Sequence, residues 1–327
     1  MAFPLFTGVV DCVVLYVVLG IVIFIMSKLG YYVAAMRLRT LPLSLAGVSL
    51  GLMLAASDYI ARWDVVLFTV LTALFLQILS NVSNELGDAL RGTDSGDRQG
   101  PAYSISAGRL GIRDFKFMVW VYAVLSALSG LALIKCSYGT LLSLESVLFM
   151  ILGFAAISSA MRYTLGKSPY GYRGMGDVYV FIFFGIVSVL GSYLIAAHDI
   201  PSWFLLLPAS AIGFFSMAVL NVNNIRDMST DAATRMTVPL KIGEKGAKVY
   251  QTVLIVLGWA AMLGYAFSRV FSLWHYLFVL TLPLFVLHVA GVWRGHGRSL
   301  DPMLPLLVIS TFLFALLGGL GFIVFLF

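Results

Sequence analysis

The sequence predicts an all-α fold, a polytopic transmembrane helical bundle, and three observations carry the prediction. Hydrophobic residues make up 61% and charged residues 11% of the 327, with a mean hydropathy of +0.98. That is about half the charge of an average soluble domain, and more apolar surface than one core can bury. The apolar residues also come in runs of about twenty, the length that carries a helix across the hydrocarbon core of a bilayer; a barrel would show short alternating segments. Lysine and arginine are shared unequally between alternate gaps, as expected of a bundle with a fixed orientation.

Taken in order, apolar spans are expected at 9–27, 41–57, 64–83, 115–134, 141–161, 178–197, 202–221, 249–268, 273–292 and 303–326. The first stands apart. A secretory signal would begin with basic residues, and no Lys or Arg precedes Lys28. Residues 1–35 therefore read as an additional N-terminal span, its N-terminus outside, ahead of a main domain at 36–327; Met36 leaves a later start open. Three gaps are long and polar, 84–114, 162–177 and 222–248, and because they follow alternate spans they share one face.

On that face fall Lys28, Arg37, Arg39, Arg91, Arg98, Arg109, Arg113, Lys116, Arg162, Lys167, Arg173, Arg226, Arg235, Lys241, Lys245, Lys248, Arg294 and Arg298. The other face keeps Arg62, Lys135 and Arg269, a division of eighteen to three that directs the long loops to the cytoplasm. Topology thus accounts for the formal net charge of +6. No basic stripe interleaved with aromatics points to nucleic acid. The two cysteines, Cys12 and Cys136, lie in or beside apolar runs and give neither a metal spacing nor a disulfide framework.

Chemistry concentrates in two of the long gaps. The first opens Asn81-Val-Ser-Asn84-Glu85-Leu-Gly-Asp88-Ala-Leu-Arg91 and continues through Asp94, Asp97 and Arg98. If the preceding helix continues, Asn81, Asn84, Asp88 and Arg91 share one face. The third opens Asn221-Val-Asn223-Asn224-Ile-Arg226-Asp227 and reaches Asp231, which stacks Asn223, Asp227 and Asp231 at i, i+4 and i+8. Both are Asn/Asp-rich helix ends leaving the membrane on the same side. Magnesium takes hard oxygen ligands and is commonly shared between one or two carboxylates and a substrate's phosphates. Two such ends facing each other suit a diphosphate held through Mg²⁺, with Arg91, Arg98, Arg226 and Arg235 adding charge-assisted bonds to its oxygens. A single polar loop beside a span is usually just solvated or capping; two matched loops on one face, with carboxylates at the membrane margin, are functional candidates.

These residues resemble the UbiA superfamily of intramembrane prenyltransferases, whose paired signatures are Asn-x3-Asp-x3-Asp and Asp-x3-Asp. Asn223, Asp227 and Asp231 fit the triple at full spacing; in the first copy Asn84 and Asp88 fit, Gly92 follows, and an acid arrives at Asp94. That run resembles the menaquinone branch of the superfamily, the 1,4-dihydroxy-2-naphthoate polyprenyltransferases, with Glu85 where the branch has Asp. Three further stretches agree: Arg37-Leu-Arg39-Thr-Leu-Pro42, Gly171-Tyr172-Arg173-Gly174-Met-Gly176-Asp177, and Pro239-Leu-Lys241-Ile-Gly243. After Asp231 the family places Gly then Lys; here Thr234-Arg235-Met236 intervenes, and Arg235 takes the cationic role.

The resemblance implies a nine-helix core, to which residues 1–35 add one span. It implies Mg²⁺ held by Asn84, Glu85, Asp88, Asp94, Asn223, Asp227 and Asp231, with Asp88 and Asp227 at the centre of catalysis. It implies substrate contacts from Asn81, Arg91, Arg98, Arg226, Arg235 and Lys241, and a middle-loop contribution from Tyr163, Tyr172, Arg173 and Asp177. The partners implied are a polyprenyl diphosphate, the acceptor 1,4-dihydroxy-2-naphthoate and the lipid bilayer. The setting is a bacterial inner membrane with the site on its cytoplasmic face. Other aromatic acceptors, 4-hydroxybenzoate or homogentisate, share the same metal logic. A secondary transporter or a non-catalytic scaffold remains open, although transporter acids sit nearer the midplane. His198, His275, His288 and His296 have no Glu or Cys at ligand spacing and read as structural.

Overall fold

The structure, a computed structural model, describes residues 28–59, 61–91, 105, 108–199, 202–232 and 234–325. The expected first span at 9–27, Cys12, and the candidate residues Asp94 and Arg98 lie outside the described residues. Among the described residues nine helices are long and apolar enough to cross a membrane. They are α1 (Lys28–Asp58), α2 (Trp63–Leu90), α3 (Ile112–Tyr138), α4 (Leu144–Arg162), α5 (Gly176–Ala197), α6 (Trp203–Arg226), α7 (Val238–Phe267), α8 (Leu273–Arg294) and α9 (Gly297–Val324).

The breaks in these helices have local causes. In α1 the chain turns at Arg37, whose left-handed backbone (φ 53°) interrupts the helix before it restarts with Pro42 in the first turn. Residues ahead of the break are part of the bundle: Ala35 is buried with Ile78, Leu79 and Val82 of α2, and Tyr32 donates to Asp114 of α3 at 2.8 Å. In α7 the helix kinks at Gly243 (φ 74°), a backbone that favours glycine. In α5 a wider π winding covers Phe181–Val187. There Gly185 meets Gly213 of α6 so closely that a Cβ on Gly185 would lie 2.6 Å from the Gly213 Cα.

Helix α6 runs through the densest part of the bundle. Its Ile212 and Phe215 are fully buried among Leu50 of α1, Leu254 of α7, Phe285 of α8 and Phe314 of α9, and the Phe215 and Phe314 rings meet edge to face at 4.9 Å. Helices α2 and α3 pack along their length and form a second cluster around Phe115 and Leu79. Helix α4 packs on α2 and α3 and buries only Ser146. Its apolar residues therefore face lipid on one side and an internal chamber on the other, and Phe154 is 73% exposed. At the end of the bundle away from the acidic segments, Asp58 accepts from Tyr193 and pairs with Arg269, which ties together the ends of α1, α5 and α7. Trp63 and Trp203 stand exposed at that end, where interfacial tryptophans are common.

Candidate active site

Helix α2 does not stop at the edge of its apolar run. It continues to Leu90, so Asn81, Asn84 and Asp88 stand on helix and face a common cavity. Asn81 is fixed by donating to the Met36 carbonyl and to Thr40 Oγ1, at 2.8 and 2.9 Å, which anchors α2 to the break in α1. Close approach continues at Gly87, where a Cβ would lie 2.5 Å from Thr164. That contact brings the middle loop over the end of α2, and Arg91 holds it there by donating to the carbonyls of Thr164 and Gly166.

On the other wall α6 ends at Arg226, and Asp227 (φ −95°, ψ 8°) interrupts the helix before a short turn, Met228–Asp231. The expected stack of Asn223, Asp227 and Asp231 is therefore bent at its middle member, although Asp227 N still reaches the Asn223 carbonyl and Asp231 N that of Asp227. Asp227 is buried and receives Arg226 bidentately, Nε at 2.8 Å and Nη2 at 2.7 Å. Arg226 Nη2 also donates to Asn223 Oδ1 at 2.9 Å, and Nη1 to Asp301 Oδ1 at 3.2 Å.

The two acidic segments meet through Arg235. Its Nη2 donates to Asp88 Oδ1 at 3.0 Å, and its Nε lies 3.2 Å from Asp231 Oδ1. Burial alone would lower the guanidinium's pKa, but Asp88 and Asp231 outweigh that and raise it above its ordinary value. Tyr172 completes the junction: its hydroxyl donates to Asp88 Oδ1 at 2.5 Å, and the guanidinium groups of Arg91 and Arg235 each lie over its ring, 4.9 Å from the centroid. The middle loop is held by Met236 N donating to the Tyr172 carbonyl at 3.1 Å. Tyr250 donates to Asp177 at 3.2 Å. Arg173 bridges to Met236, and the Lys241 ammonium lies against Gly174.

Behind this junction opens a cavity of about 660 Å³. Its polar mouth carries Arg39, Asn84, Asp88, Asn223, Arg226 and Arg235; its depth is apolar, between α4 and α5, down to Phe149 and Ile195. An anionic head at the mouth and an apolar tail in the chamber is the substrate shape it accommodates. Among the predicted site residues, Tyr163 lines it too, whereas Glu85 turns its carboxylate to Arg37 Nη2 (3.5 Å) and Ile105 N (3.3 Å). Arg91, Tyr172 and Arg173 sit in the loops around the mouth, and Asp177 and Lys241 in the first turns of α5 and α7. None of the four histidines lines the cavity: His288, for example, is hydrogen-bonded to Gln251 and to the Met303 carbonyl.

Among the described residues no three acidic, histidine or cysteine side chains converge as a ready metal centre. The donor chemistry nevertheless suits magnesium: Asp88 and the Asn84 and Asn223 amides line the mouth, and buried Asp227 and Asp231 are held beside it by Arg226 and Arg235, all of them hard oxygen donors. Sequence reasoning missed Asp301, which enters from the start of α9 to hold Arg226, and Thr164, which donates to the Ser83 carbonyl. Neither belongs to a patterned motif. It also passed over Gln77, a polar residue inside an apolar run and one helical turn before Asn81.

A bundle whose acidic helix ends close one mouth of a tail-sized apolar chamber defines a class of membrane-embedded enzyme acting on long amphiphiles. The sequence matches the UbiA prenyltransferase family over residues 40–304, and the chain belongs to that family. It is 38% identical to the 1,4-dihydroxy-2-naphthoate octaprenyltransferase of Escherichia coli (strain K12), across 90% of this chain and 96% of that one. The fold is similar to that of a UbiA homolog from Aeropyrum pernix K1 (TM-score 0.66, 16% identity, 89% of this chain and 99% of that chain). It is similar also to a UbiA homolog from Archaeoglobus fulgidus bound to GPP and Mg²⁺ (TM-score 0.63, 15% identity, 90% and 99%). Family membership answers the transporter and scaffold alternatives left by the sequence.

Proposed function

We propose that this protein is an integral-membrane 1,4-dihydroxy-2-naphthoate polyprenyltransferase. It transfers the chain of a polyprenyl diphosphate to the acceptor and releases CO2 and diphosphate to form demethylmenaquinol, the hydroquinone form of demethylmenaquinone. The observation that carries the reading is the junction of Asp88 and Asp231 through Arg235 at the mouth of the apolar cavity. The relative in Escherichia coli, whose name states this acceptor and an octaprenyl donor, supports it over most of both chains. The division of basic residues supports a cytoplasmic mouth in a bacterial inner membrane.

Bound there through Asp88, Asp227 and Asp231, with Asn84 and Asn223 as neutral ligands, Mg²⁺ would supply charge neutralisation of the departing diphosphate. Arg226 and Arg235 bind its oxygens, and their paired carboxylates keep both cations oriented before substrate arrives. Tyr172, set against Asp88 and Arg235, closes the mouth from the middle loop, and Arg173, Asp177 and Lys241 hold that loop in place. The buried junction and apolar chamber exclude water, which would otherwise capture the allylic cation. The carbon–oxygen bond of the donor breaks with its electrons on diphosphate. The ring carbon bearing the carboxylate then bonds to the prenyl carbon, and CO2 departs leaving its bonding electrons in the ring, so no base need remove a proton.

The test is a prenylation assay on membranes containing the full chain, with and without EDTA, offering 1,4-dihydroxy-2-naphthoate beside 4-hydroxybenzoate and homogentisate. Demethylmenaquinol, recovered as demethylmenaquinone after oxidation in air, is the expected product by mass, and its formation should depend on Mg²⁺. Prenylation of 4-hydroxybenzoate with dihydroxynaphthoate untouched would reassign the acceptor.

A further inference from the structure

We infer that His288, which lies outside the cavity, is a positioning residue for the transfer: it closes a ring of hydrogen bonds through four helices that fixes Arg226 at the mouth. The inference rests on the reading that Arg226 grips the donor's diphosphate, and it adds the device that holds the guanidinium in place. Asn221 of α6 donates through its amide nitrogen to the Ala247 carbonyl at 3.0 Å and to Gln251 Oε1 of α7 at 2.8 Å. Gln251 Nε2 meets His288 Nε2 of α8 at 2.9 Å, and His288 Nδ1 meets the Met303 carbonyl of α9 at 3.0 Å. Two residues before Met303, Asp301 accepts from Arg226 Nη1 at 3.2 Å, which returns the ring to α6. Asn221, Gln251, His288 and Arg226 are all buried.

Each direction follows from the one before it. The Ala247 carbonyl can only accept, which turns the Asn221 amino group toward it and makes Gln251 Oε1 the acceptor of the second N–H. Gln251 then has only N–H to offer His288, so the imidazole Nε2 is the bare nitrogen. The Met303 carbonyl also only accepts, so Nδ1 carries the proton. A histidine at this position supplies one acceptor and one donor from a single rigid ring between two helices. Asparagine can reproduce the Nδ1 side of that ring and glutamine the Nε2 side, but neither reproduces both.

The path of the ring gives it a bearing on the reaction. Helix α6 ends at Arg226, the last residue before the chain leaves the helix at Asp227, so the guanidinium is held by its partners and not by further helix. Nε and Nη2 go to Asp227, Nη2 also to Asn223, and Nη1 crosses to Asp301. The place of Asp301 follows from that of the α9 backbone, which His288 ties to α8 at Met303. Gly291, three residues along α8 from His288, strengthens the tie, since a side chain there would collide with Met303. The first acidic segment has a simpler anchor, Asn81 on the break in α1. A buried hydrogen-bond network acts as a rigid unit while it is complete, and donors aimed before substrate arrives are the ones that stabilise developing charge most effectively.

The experiment uses the full chain in detergent with His288→Asn, His288→Gln and the control Phe285→Leu, a core substitution on the same helix outside the ring. Each protein is titrated calorimetrically with inorganic diphosphate in the presence of Mg²⁺, and its kcat, acceptor KM and melting temperature are measured. His288→Asn keeps the Met303 bond and loses Gln251, and His288→Gln does the reverse, so each opens the ring at one point and either suffices if the other does not fold. Both should lower diphosphate affinity and kcat by about tenfold, with the acceptor KM little changed. Phe285→Leu should melt lower and keep both values. In an Asp301→Asn background the ring is already open, so adding His288→Gln should change diphosphate affinity by less than about twofold. Wild-type diphosphate affinity in the His288 variants, an equal loss in Phe285→Leu, or a full further loss in the Asp301→Asn background would overturn the positioning role. A wild type that binds diphosphate but makes no demethylmenaquinol would overturn the proposed function, and the titration would still decide on His288; one that binds no diphosphate would overturn both.

Discussion

Arg235 Nη2 lies 3.0 Å from Asp88 Oδ1, a contact between residues 147 apart in sequence that joins α2 to the segment after α6. The same guanidinium reaches Asp231, so one buried cation holds an acid from each of the two Asn/Asp-rich segments. Removing it should leave two carboxylates facing each other in a low-dielectric site. Breaking such a pair typically costs about 3–5 kcal/mol. Arg235→Gln is expected to melt well below wild type in detergent and to regain more stability than wild type on addition of Mg²⁺, since a divalent cation can replace the lost charge. Equal melting temperatures, with and without the ion, would show that the junction is not electrostatic.

Asp88→Asn and Asp227→Asn retain shape and remove charge. Each is expected to lower kcat by about 100-fold or more while the protein stays folded in circular dichroism. Diphosphate release should fall in step with prenylation. A variant that still releases diphosphate at the wild-type rate would place ionisation of the donor elsewhere.

Glu85 tests how far the sequence pattern can be trusted as a ligand list. The pattern counts it among the magnesium ligands, but its carboxylate faces Arg37 and Ile105 N. Glu85→Gln is expected to lower thermal stability through that contact, and the Mg²⁺ concentration for half-maximal activity should change by less than about twofold, below the usual cost of losing even an outer partner of a metal. A tenfold rise in the magnesium requirement would return Glu85 to the ligand set.

Two glycines separate packing from propensity. At Gly185 a methyl group would lie 2.6 Å from the Gly213 Cα and 2.7 Å from the Ala209 carbonyl. Gly185→Ala should destabilise by about 1–3 kcal/mol. At Gly153, on α4, nothing lies within 4 Å of the same atom, so Gly153→Ala should be neutral or stabilising by up to about 1 kcal/mol. Chemical denaturation of both in one detergent makes the comparison.

The sequence by itself determined the solvent, the helical class and the two acidic segments, because these depend on local quantities: apolar run length, Lys/Arg distribution, and the three- and four-residue spacing of Asn and Asp. It could therefore point to Asn84, Asp88, Asn223, Asp227 and Asp231 before any contact was known. Only the tertiary structure decided which charges share a partner. That Arg226 is taken by Asp227 and Asp301, that Arg91 holds the middle loop by its carbonyls, and that Glu85 turns to Arg37 are outcomes of packing between distant segments. Electrostatic pairing falls off over a few ångströms, and sequence distance carries no information about which residues close that interval.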